Sequence, residues 1–97
     1  MGKNRKEIIE AAKSALAVSK IASSHGGLKQ KVKARVERTK PSSLEKMDEN
    51  ELFNIIIEGE MDAEFLADIS LTAKDRREHM RLAKKLHAAA ESILEED

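Results

Sequence analysis

Ninety-seven residues without a cysteine limit this chain to one domain, or a short domain with an arm, and exclude disulfides, thiolate catalysis and cysteine-based zinc sites. A composition 40% hydrophobic and 37% charged, with Phe53 and Phe65 its only aromatics, is typical of helices rich in Ala, Glu, Lys and Leu. The net charge of zero conceals a segregation: residues 1–40 carry eleven Lys or Arg against three Glu, a net +8, and residues 41–97 carry seven against fifteen, a net −8.

The spacing predicts a first helix over residues 4–24. Ile8, Ile9, Ala12, Ala15, Leu16, Ser19 and Ala22 share one side at 100° per residue, with Lys6, Glu10 and Lys13 on the other. Asn4 with Glu7 has capping-box spacing, and Gly26-Gly27 supplies a left-handed stop. Residues 28–40 are open to two readings. Leu28, Val32 and Val36 align on a helix, whereas Leu28, Gln30, Val32, Ala34 and Val36 share a strand face with Lys29, Lys31, Lys33 and Arg35 opposite. Helix is preferred, because a lone strand needs a partner and Lys, Gln, Ala, Arg and Glu favour helix.

Pro41 breaks the chain. Ser42 with Glu45 has capping-box spacing and predicts a short turn through Met47. Asp48 with Glu51 predicts a helix carrying Leu52, Phe53, Ile56 and Ile57 as far as Gly59, and Asp62 is placed to cap a further short helix with Phe65, Leu66 and Ile69 inward. Thr72 with Asp75 predicts the last and longest helix, to about Leu94. Its apolar arc is read as Met80, Ala83, Leu86, His87, Ala90, Ile93 and Leu94, with Lys74, Arg77, Arg81, Lys84 and Lys85 clustered opposite. The expected architecture is all-α. It is a small domain of about five helices, divided into a basic N-terminal helical hairpin or arm (1–40) and a compact helical bundle (41–97). Thirteen alanines bury little area each, so a second copy of the chain is expected to complete the core.

Catalytic and metal patterns are weak throughout. His79 and His87 are too far apart for a helical i, i+4 chelate, and Asp48-Glu49-Asn50-Glu51 lacks the spacing and glycine of a calcium loop. Ser42 and Ser43 have no nucleophile-elbow glycines, and Gly26-Gly27 lacks the Lys-Ser/Thr ending of a phosphate loop. No enzyme activity, catalytic residue, cofactor or metal is expected. No apolar run approaches the roughly 20 residues of a membrane span, and Met1-Gly2-Lys3 opens no signal-peptide pattern, so a cytoplasmic protein with no membrane contact is expected.

The charge pattern directs the functional expectation. Lys29, Lys31, Lys33, Arg35, Arg38 and Lys40, joined by Arg77, Arg81 and Lys84, are read as phosphate contacts to DNA or RNA. Ala22, Gly26 and Val32 also fall at helix-turn-helix spacing, although Gly27, Arg35 and His25 depart from that motif and a plain helical hairpin explains them as well. The expectation is a non-enzymatic, dimeric accessory or regulatory protein that binds nucleic acid. The alternative is a protein-interaction module, an adaptor or inhibitor, in which the acidic 45–68 region or the Ala-rich first helix is the contact and the basic segment pairs with acidic surface; the basic stripe of the last helix also offers the acidic cluster an internal partner.

Overall fold

The computed structural model describes residues 5–26, 36 and 38–95, and these form three α-helices and one 3-10 turn. Helix α1 is Arg5–Ser24, the 3-10 turn is Pro41–Lys46, α2 is Glu49–Asp68 and α3 is Ala73–Glu95. The described chain is thus all-α. The proposed Asn4 cap, Gly27 and most of the helix read over 28–40 lie outside the described residues. Val36 is described and buried.

The start and stop signals hold at three places. Gly26 has a φ of +74°, the left-handed conformation that ends α1. The Asp48 side chain accepts from the Glu51 backbone N–H at 2.9 Å, and Thr72 Oγ1 accepts from that of Asp75 at 3.1 Å, each satisfying a donor the helix leaves unpaired. Ser42 is not a cap. The 3-10 turn starts one residue earlier, at Pro41, whose fixed φ and missing N–H suit a first helical position, and Lys40 precedes it without a side-chain cap.

The expected break near Gly59 does not occur. The two short helices read on either side of Gly59–Asp62 are one continuous α2. Gly59 is there because α1 passes against it: a Cβ at this position would lie 2.6 Å from the Ala15 Cα. Asp62 does not cap a helix either. It is buried, and its carboxylate accepts a hydrogen bond from Ser19 Oγ at 2.6 Å. These contacts also fix direction: Ala15 meets Gly59 and Ser19 meets Asp62, so α1 and α2 run parallel, while α3 returns antiparallel along α2, with His87 beside Glu60. The end of α1 and the start of α2 therefore lie about the length of α1 apart, roughly 30 Å at 1.5 Å per residue. Arg5, at the start of α1, holds the segment just before α2, donating to the Glu45 carbonyl at 3.1 Å and to that of Met47.

The core closes within one chain. Its larger part joins Ile8, Ala12 and Ala15 of α1 to Leu44, to Leu52, Ile55 and Ile56 of α2, and to Leu86, Ala90 and Ile93 of α3. A smaller part gathers Val18, Ala22, Ala63, Leu66 and Ala83. Because Ile8, Leu44, Leu52, Ile56 and Leu86 are fully buried in the single chain, the expectation that a second copy completes the core has no support in this packing. The buried arc of α3 is rotated from the expected one. Met80 (40% exposed), His87 and Leu94 (60%) face outward, whereas Ala89 is buried and Leu82 half-buried, because α3 must face α1 as well as α2. Ile69, expected inward, is exposed.

Candidate nucleic-acid interface

Helix α3 sorts its charges by side as well as by position. Over its first half, Ala73–Lys85, six cations project outward: Lys74, Arg76, Arg77, Arg81, Lys84 and Lys85, all exposed. At 100° per residue they span an arc of roughly 180° centred on Arg77 and Lys84. Of the two acids of this stretch, Asp75 falls on the other side of the helix, whereas the exposed Glu78 stands at the edge of the arc, about 20° beyond Lys85 and one turn from Lys74. Among the described residues none of the six cations makes an ion pair, whereas Lys13 pairs with Glu10 and His87 with Glu60 and Glu91.

This grouping is unfavourable for the helix itself. The N-terminus carries the positive end of the helix dipole, and cations there are disfavoured by roughly 0.3–1 kcal/mol each at exposed sites. Lys74–Arg77, Arg77–Arg81 and Arg81–Lys85 are like-charge neighbours at i+3 or i+4, each worth about 0.2–0.5 kcal/mol of destabilisation. Nothing covers this end of the helix. Every residue from Leu71 to Glu78 is exposed, and Leu71 is 99% exposed. The acidic stretch is occupied elsewhere or faces solvent: Asp48 caps α2, Asp62 pairs with Ser19, Glu60 holds His87, and Glu49 and Glu51 are exposed. Among the described residues no ion pair joins the stripe on α3 to the acidic stretch, although Lys84 lines a hollow with Glu60 and Glu64.

Of the other residues expected to contact phosphate, Lys29, Lys31, Lys33 and Arg35 lie outside the described residues. Arg38 and Lys40 are exposed but belong to the opposite end of the molecule, and Arg38 is engaged in a contact of its own. Thr39 between them lines a hollow with Met47, Glu51, Asn54 and Ile55, in the first half of α2, whereas Arg77 lies near the end of α2. Arg77 is separated from Arg38 and Lys40 by roughly 20 Å along α2, at 1.5 Å per residue, and Lys84, beside Glu60, by less. Arg77, Arg81 and Lys84 are thus brought together with one another, and with Lys74, Arg76 and Lys85, but not with Arg38 and Lys40.

Two further features have chemistry of their own. His87 Nδ1 lies 3.2 Å from Glu60 Oε1 and Nε2 lies 2.7 Å from Glu91 Oε1. Two carboxylates accept only if both ring nitrogens donate, so the site favours the imidazolium. The hydrogen bond to Glu60, then the charges of Glu60 and Glu91, hold the His87 pKa above its ordinary 6.5. The Glu91 partner was readable from i, i+4 spacing; Glu60, on another helix, was not. A groove of about 660 Å³ also opens between α1 and α3, floored by Ala11, Leu82 and Leu86 and rimmed by Lys6, Glu10 and Lys85. Among the described residues no group of three or more His, Asp or Glu is arranged to hold a metal ion, and no helix is long and apolar enough to cross a membrane.

No family model, curated protein or solved structure matches the chain.

Proposed function

We propose that this is a non-enzymatic nucleic-acid-binding accessory or regulatory protein. The observation that carries the reading is the outward face of Ala73–Lys85, where six exposed cations, none in an ion pair among the described residues, crowd one another at i+3 and i+4 with Glu78 alone at their edge. Phosphate is the partner that turns such a face to advantage, since each neutralised phosphate releases condensed counterions. In this reading Arg77, Arg81 and Lys84 are the central contacts and Lys74, Arg76 and Lys85 flank them. Lys29, Lys31, Lys33, Arg35, Arg38 and Lys40 add positive charge along the sequence, and two copies of the chain could present two such faces.

A mobility-shift titration with mixed-sequence oligonucleotides at two salt concentrations tests the reading. Binding that weakens steeply with salt, and falls by at least tenfold in the Arg77→Glu/Arg81→Glu/Lys84→Glu variant, is expected. No shift at low salt overturns it and leaves the alternative, an acidic protein partner for the same face beside exposed Ile69 and Leu71.

A further inference from the structure

We infer that the nucleic acid taken by this face is B-form duplex DNA, with the first half of α3 lying in the major groove; the inference rests on the reading above. A helix with its side chains is about 10–12 Å across and the B-form major groove about 12 Å wide, so entry requires a helix segment free of neighbours around most of its circumference. Leu71–Glu78 meets that requirement, because each of these residues is exposed and the Thr72 cap leaves the helix end unobstructed.

The distribution of cations fits two phosphate walls with base edges between them. Arg77 stands near the middle of the arc, where it points at the groove floor. Arg76 lies about 100° to one side and Lys74 about 60° to the other, where each meets one strand, with the exposed Glu78 a further 40° beyond Lys74. A flat stripe would suit one strand; an arc of roughly 180° suits two. Single-strand recognition by base stacking needs exposed aromatic platforms, and here Phe53 and Phe65 are half-buried in a chain without Trp or Tyr. Duplex RNA is disfavoured because its major groove is too deep and narrow for a helix to read. Arg77 is the residue placed to take guanine O6 and N7 in a bidentate pair, with Lys74 and Arg76 on phosphate.

The test titrates the full chain with one mixed sequence in three forms: duplex DNA, single-stranded DNA and duplex RNA. Three variants accompany the parent protein, Arg76→Ala, Arg77→Ala and Arg77→Lys, all at exposed positions where folding can be verified by circular dichroism. Expected are tightest binding to duplex DNA, a loss of about tenfold for Arg77→Ala with only partial rescue by Arg77→Lys, and a salt slope reduced by about one for Arg76→Ala. Binding of single strands or RNA duplex as tight as duplex DNA overturns the inference and leaves the nucleic-acid reading standing. So does duplex DNA binding that is indifferent to Arg76 and Arg77. No binding to any of the three forms overturns both.

Discussion

Where α1 meets α2, the side chains shrink to Ala15 and Gly59 and a buried Ser19–Asp62 hydrogen bond joins the helices. Where α3 begins, the side chains lengthen to Arg and Lys and no neighbour covers them. The first region is shaped by what fits between two backbones, the second by what the chain leaves available to solvent. A polar group in the first is under packing constraint; in the second, like charges accumulate although they weaken the helix. The contrast separates residues set by packing from residues that face solvent.

The largest effect should follow from adding one carbon to the first region. Gly59→Ala is expected to destabilise by about 3 kcal/mol, because its Cβ meets the Ala15 backbone and overpacking outweighs the gain in helix propensity. Thermal unfolding should show Tm falling by more than 10 °C, on the order of 4–8 °C per kcal/mol for a domain of this size. A rise in Tm, as an exposed helical glycine gives on replacement, would overturn the close-approach account. Next comes the buried pair. Ser19→Ala is expected to cost about 2 kcal/mol in denaturant titrations, and Ser19→Ala/Asp62→Ala less than the sum of the two single changes. Strict additivity would mean the hydrogen bond contributes nothing as a pair.

The second region should respond in the opposite direction. Arg77→Glu and, separately, Arg81→Glu are each expected to raise stability by about 0.2–0.5 kcal/mol, since each turns like-charge neighbours at i+3 or i+4 into opposite-charge ones. A loss of stability would show that these arginines serve the fold and would remove the contrast. The smallest effect concerns His87. Its pKa is raised on folding, so its contribution is complete below the unfolded value of 6.5 and fades as pH rises through the folded value. Parent protein should lose a little stability from pH 6 to 8, and His87→Gln should flatten that slope; an unchanged slope would show that Glu60 and Glu91 do not act through the imidazolium.

The sequence made local features legible and concealed distant ones. Residues 4–24 were read as the first helix, which the structure gives as Arg5–Ser24, and Ile8, Ala12, Ala15, Leu16, Ser19 and Ala22 are buried as their spacing requires. The caps at Asp48 and Thr72 were readable because donor and acceptor lie three residues apart. Gly59 and Asp62 were misread because glycine and aspartate serve two kinds of physics. Each residue type ends or starts helices, and each also answers to a neighbour distant in sequence, here Ala15 and Ser19. Arg5 was counted as free charge for the same reason: its acceptors, the Glu45 and Met47 carbonyls, are backbone atoms some forty residues on. The cationic cluster on α3 was visible as a helical stripe, but its exposure and its separation from Arg38 and Lys40 depend on how the helices pack.

The parallel run of α1 beside α2 has a consequence for the order in which the chain folds. Helices α2 and α3 adjoin through residues 69–72 and can pair after closing a very short loop. The Ser19–Asp62 contact instead spans 43 residues. Closing such a loop carries an entropy cost growing as about (3/2)RT ln n, owed before any contact across it forms. A hairpin of α2 and α3 is therefore expected to gather first, with α1 docking late, and the molecule should fold more slowly than an up-and-down three-helix bundle of equal length. In stopped-flow kinetics, Ala12→Gly should mainly speed unfolding, while Leu86→Ala should mainly slow folding.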